Sequence, residues 1–160
     1  MKSAILAALA LTIAGGGLAS CKDGGAQPSQ SAPEAPAGIS AADGRLVLPA
    51  VKGNPGAVYF DITNNGDKDT AIAGAFVDGA KSAMLHTSVM SGGMSSMQDM
   101  DQIPLAKGAT VSFAPGGNHV MAINLDPALT AGGTTEVTVT LASGDKVSFQ
   151  AKVLAAGDAR

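Results

Sequence analysis

Two residue types in this chain are confined to one window. Both histidines, His86 and His119, and every methionine except the initiator lie between Met84 and Met121. Within that window His86, Met97, His119 and Met121 follow the spacing H-x10-M-x21-H-x-M. Imidazole and thioether together form a soft donor set, which prefers monovalent copper to zinc, magnesium or calcium. The expected chemistry is therefore binding of copper(I) by His86, Met97, His119 and Met121.

The remaining methionines divide by their surroundings. Met84, between Ala83 and Leu85, suits a buried strand when taken by itself. Met90, Met94 and Met100 are flanked by Ser, Gly, Gln and Asp, which offer a thioether little core to fill. A sulfur-rich loop of this kind favours metal capture or a partner surface. All four, Met84, Met90, Met94 and Met100, are kept as secondary copper contacts.

The cysteine count narrows the chemistry further. Cys21 is the only cysteine, at the end of Leu18-Ala19-Ser20-Cys21, a sequence that matches a bacterial lipobox. Lys2 and the apolar or small residues 4–19 before it read as a lipoprotein signal peptide over residues 1–20. That run is interrupted by Gly15, Gly16 and Gly17 and is shorter than the roughly 20 apolar residues of a spanning helix. With Cys21 lipidated no thiol remains, which excludes disulfides, zinc ribbons, redox pairs and a blue-copper centre, whose metal needs a cysteine sulfur.

Charge and aromatic content exclude other classes. The formal net charge is −3 with no basic run, and tryptophan is absent, so a nucleic-acid or sugar-stacking surface is not expected. No Ser/His/Asp arrangement can be drawn, because both histidines belong to the metal motif, and the chain is not expected to be an enzyme.

Residues 21–43 carry Cys21 and then Gly, Ala, Pro, Ser and Gln, a flexible linker whose composition holds a domain about 20–25 Å from a membrane. Residues 44–160 form the domain. Short β-type runs lie at 46–48, 58–62, 71–77, 82–87, 110–113, 120–125, 135–141 and 146–153, separated by turn residues. Val58, Phe60 and Ile62 share one face, and the last two runs form a hairpin about Ser143-Gly144-Asp145. An all-β sandwich follows. His119 and Met121, two apart on one run, leave the same face, with His119 at its start after Pro115-Gly116-Gly117-Asn118. His86 ends another run, and Met97 follows a loop, Ser88 to Ser96, that folds back at Gly92-Gly93.

The four-residue spacing, together with Val58-Tyr59-Phe60-Asp61-Ile62-Thr63-Asn64-Asn65-Gly66 and with Pro115-Gly116-Gly117 ahead of His119, closely resembles the periplasmic copper chaperones of the PCuAC family. The likeness covers about residues 44–154. It implies a cupredoxin-like β-sandwich of Greek-key type, with copper(I) held at the positions of His86, Met97, His119 and Met121. It further implies delivery of copper for the CuA centre of cytochrome c oxidase, with the CuA subunit or a thioredoxin-like assembly factor as partner. Thr87, Gln98 and Asn118 depart from residues common in the family and alter the rim around the ligands. With the lipobox, the expected location is the bacterial periplasm, anchored to a membrane by lipid. Two other readings use the same residues: a copper-sequestering resistance protein, and a β-sandwich interaction module whose methionine loop grips a hydrophobic partner.

Overall fold

The computed structural model describes residues 35–158, and within them the secondary structure is entirely β. Ten strands follow in order: β1 (Ile39–Val47), β2 (Gly56–Asn64), β3 (Thr70–Val77), β4 (Ala80–Ser91), β5 (Met94–Asp99), β6 (Ile103–Leu105), β7 (Thr110–Phe113), β8 (Asn118–Leu125), β9 (Thr134–Leu141) and β10 (Lys146–Leu154). Cys21 and the signal-peptide and most linker residues lie outside the described residues.

The hydrogen-bonded order is β5-β4-β8-β7-β2-β1-β10-β9-β3-β6, with β8 also paired to β2. Most neighbours are antiparallel, while β1–β10 and β7–β8 are parallel. The ladder is open, ending in β5 at one edge and β6 at the other, and it folds over as a sandwich in which consecutive β3 and β4 lie close without pairing, β3 bonding to β9 and β6 and β4 to β8 and β5. Gly79, at φ 75°, turns the chain from one half to the other.

Alternation builds the core. Along β2 the residues are alternately buried and half-buried, with Val58, Phe60 and Ile62 inward, as their period of two requires. They meet Leu46, Ile72, Leu105, Phe113, Val120, Val137, Val139 and Val153 from the other strands. Phe60 stacks on Phe113 at 4.2 Å between ring centroids and tilts against Phe149 at 4.9 Å. The closing hairpin pairs Val147 with Val139 and Phe149 with Val137.

Three elements differ from the sequence reading. β1 starts at Ile39, so residues 39–43, placed with the linker, belong to a strand, and 39–42 pair with β2. Its register shifts between Ala42 and Arg45 at a bulge where Asp43 has φ 55°. Gly44 is required there, since a Cβ would lie 2.7 Å from the Phe149 ring. The bulge breaks the alternation that would have marked the strand. The stretch Ser88 to Ser96 is not a loop either: β4 runs on to Ser91 and returns as β5, paired from His86↔Asp99 to Ser91↔Met94. Gly92 and Gly93, at φ 60° and 80°, supply the two left-handed positions of a tight hairpin turn. Every residue of β5 is exposed, so no apolar alternation announces it. β6 is short and carries Pro104, which hides it from a strand pattern.

Candidate metal centre

β4 and β8 are antiparallel, and their register sets Met84 opposite Met121 and His86 opposite His119. Leu85, Val120 and Ala122, of opposite parity, point into the core. The two histidines and two methionines therefore share the outer face of this strand pair as a two-by-two block. Directly opposed residues have their Cβ atoms about 4.5–5.5 Å apart, and diagonal neighbours are within reach of long side chains. The imidazole centroids are 5.7 Å apart, with their planes at 60°.

Although they project from the outer face, His86 and His119 are each only 5% exposed. Tyr59 of β2 lies beside His119, its ring centroid 6.5 Å away, and the Arg45 guanidinium sits 5.4 Å from the Tyr59 centroid. Burial raises the Tyr59 pKa, and nearby Arg45 partly opposes that shift. The phenol is thus neutral at ordinary pH and offers a rim rather than an anionic ligand.

The imidazoles are held differently. The Nδ1 of His119 is 3.1 Å from the Gly117 carbonyl, which also accepts the Ser88 N–H of β4. As donor in that bond, Nδ1 leaves the Nε2 lone pair for a metal, the arrangement that orients metal-binding histidines. Asp99 Oδ1 approaches His86 Nε2 to 2.9 Å, yet without the alignment of a hydrogen bond, so both ring nitrogens of this buried histidine lack a hydrogen-bond partner. Buried polar atoms without partners are costly, and a bound ion is one thing that satisfies them. The residues therefore fit a metal.

The other sulfurs are scattered by strand parity. Met97 pairs with Ser88, which puts it on the same face as His86 and diagonal to it, and it is 66% exposed. Met90 shares that face and is exposed. Met94 has the opposite parity at the hairpin tip. Met100, expected as an exposed contact, instead packs against the core, with its N–H donating to the Leu85 carbonyl. It continues β5's parity to the inner side and cannot serve the outer face. Met84, expected in the core, is 40% exposed on the histidine face. Its parity with His86 was the available signal. Tyr59, Arg45 and Asp99 carry no signal in the sequence, because only the register brings them to the histidines.

Among the described residues no group of three histidine, cysteine, aspartate or glutamate side chains is placed to hold a metal. Met84 and Met121, beside the two histidines, can add soft sulfur donors to the imidazole pair. A groove of about 950 Å³, lined by Leu48, Lys52, Lys81, Leu125 and Leu129 among others, shares no residue with the histidine face.

Comparison with known proteins agrees with this fold. The family model "Putative lipoprotein LpqE-like" matches residues 39–153, most of the chain. This chain belongs to the LpqE-like family. A curated relative, "Putative lipoprotein Lxx21020" of Leifsonia xyli subsp. xyli, is 33% identical over 89 residues, so the match spans about half of either protein. Among solved structures, the copper-bound PCuAC domain from PmoF2 superposes with a TM-score of 0.63 at 22% identity, over 78% of this chain and 98% of that one. The apo PCuAC domain from PmoF1 gives 0.61 at 22%, over 74% and 94%. The solution structure of copper(I)-bound DR1885 from Deinococcus radiodurans gives 0.55 at 29%, over 79% and 81%. The LpqE-like chain thus has the cupredoxin-like β-sandwich of PCuAC domains, as the resemblance implied.

Proposed function

We propose that this LpqE-like protein binds copper(I) on the β4–β8 face and carries it as a metallochaperone. The observation that supports this most is the in-register pair His86–His119 beside Met121, with no group of three histidine, cysteine, aspartate or glutamate side chains among the described residues to favour a harder ion. The copper-bound PmoF2 domain and copper(I)-bound DR1885, which share the fold, support the same cargo. His86, His119 and Met121 are its ligands on the strand pair, and Met97 joins them from the β4–β5 hairpin.

The ligands are neutral and the set lacks a thiolate. Each donor can be replaced singly by one from a partner, so copper passes through shared coordination. Delivery toward the CuA centre of cytochrome c oxidase is the proposed use. The lipoprotein names of the family and of its Leifsonia relative support export and a lipid on Cys21, with the domain in the periplasm.

Competition with a chromophoric copper(I) chelator tests the site. One equivalent should bind tightly and zinc weakly, and His86→Ala with His119→Ala should abolish copper binding in a folded protein. Equal affinity for zinc overturns the proposal. Oxidase assembly in cells starved of copper tests delivery: a deletion strain that assembles the oxidase normally, yet fails in excess copper, assigns sequestration instead.

A further inference from the structure

We infer that Met84 is a further copper ligand, seated with His86, His119 and Met121 on the β4–β8 ladder. This rests on the proposal that the face binds copper(I). The four residues are two consecutive same-face pairs, Met84↔Met121 and His86↔His119. Every member of such a block is a direct or diagonal neighbour of the other three, within reach of long side chains. The backbone under it is fixed by inward Leu85, Val120 and Ala122, each buried in the core. The Gly117 carbonyl further ties the β4 backbone to the His119 ring.

Met97 stands differently. It lies two strands from Met121, and four positions along, since Met121 is level with Met84 and Met97 with Ser88. At about 4.8 Å per strand and about 3.3 Å per residue, their Cα atoms are about 16 Å apart in a flat ladder. Two methionine side chains cannot meet on one ion across that span unless the hairpin curls over the histidines. Met84 needs no such movement. Nor does it have a packing role to explain it: it points away from the core and is 40% exposed, as a sulfur awaiting an ion and a partner would be. Met97, on an exposed arm diagonal to His86, is then the sulfur that an incoming donor or acceptor meets first. Two sulfur sources on either side of one histidine pair give the ion a holding position and an exchanging one.

The test uses the protein with 13C-labelled methionine ε-methyl groups, titrated with copper(I) under reducing conditions and assigned by single Met→Leu variants. At one equivalent the Met84 and Met121 methyls should shift together, and should still do so in Met97→Leu. Met84→Leu should lower copper(I) affinity at least tenfold by chelator competition, with the fold retained because the side chain packs on no core. A Met84 methyl that keeps its position at full loading overturns the inference, and so does parental affinity in Met84→Leu. The His86→Ala/His119→Ala double variant separates the two levels. If it retains parental copper binding, the site itself is wrong; if it loses binding while Met84 stays silent, only the role of Met84 fails.

Discussion

Tyr59 is the one tyrosine of the chain, so its titration can be followed without interference from another phenol. Burial raises its pKa in the fold, with Arg45 opposing. The folded protein then holds the phenolic proton more tightly than the unfolded chain does. Tyr59 adds stability below the ordinary tyrosine range near pH 10, and that contribution is lost as pH rises through and above it. Phenolate absorbance should therefore appear at higher pH in native than in urea-unfolded protein, and Tyr59→Phe should flatten the fall in stability at alkaline pH. Coincident native and unfolded titrations would contradict this. Phe60, fully enclosed between Phe113 and Phe149, carries the packing on the other side of β2. Phe60→Ala should cost about 3–5 kcal/mol, read as a lower urea midpoint at unchanged slope.

At the scale of elements, the β4–β8 pair and the β4–β5 hairpin behave as a rigid and a soft half. β8 is backed by core residues, whereas every residue of β5 is exposed. Met121→Leu should therefore weaken copper(I) binding severely, and Met97→Leu mildly, by chelator competition. The reserve sulfurs are not those expected from a flexible loop. Met94 and Met100 have the wrong parity, while Met84 and Met90 share the ligand face. Gly92→Ala with Gly93→Ala places two side chains at positive φ, about 1–2 kcal/mol each, and should fray the hairpin locally. Amide exchange in β5 should quicken while that of Phe60 and Val139 stays slow. Parental protection of β5 amides would show that the turn does not hold the hairpin.

At the scale of the whole molecule, the core is drawn from residues between Leu46 and Val153, and the family match runs over 39–153. A chain beginning at Ala35 should fold and bind copper(I) like the 160-residue chain, checked by thermal melting and chelator competition. Changing Cys21 to Ser should move the 160-residue chain from the membrane to the soluble fraction with its copper affinity unchanged. Retention in the membrane fraction would place the attachment elsewhere.

The sequence by itself determined what depends on composition and local period. Soft donors confined to one window pointed to the kind of ion proposed, and alternation at Val58, Phe60 and Ile62 and in the closing hairpin marked the sandwich, because a strand with one buried face must repeat every two residues. Same-face placement of His119 and Met121 followed from the same rule. Strands without a buried face, or interrupted by a bulge or proline, left no such mark, so β5, β6 and the start of β1 could not be read. Only tertiary structure decided the register of β4 against β8. That register is long-range, set by which residues fill the core beneath it, and a slip of one residue would turn His86 and Met84 inward. It brought His86 to His119 and Met84 to Met121, turned Met100 to the core, and left Met97 exposed on the β5 arm.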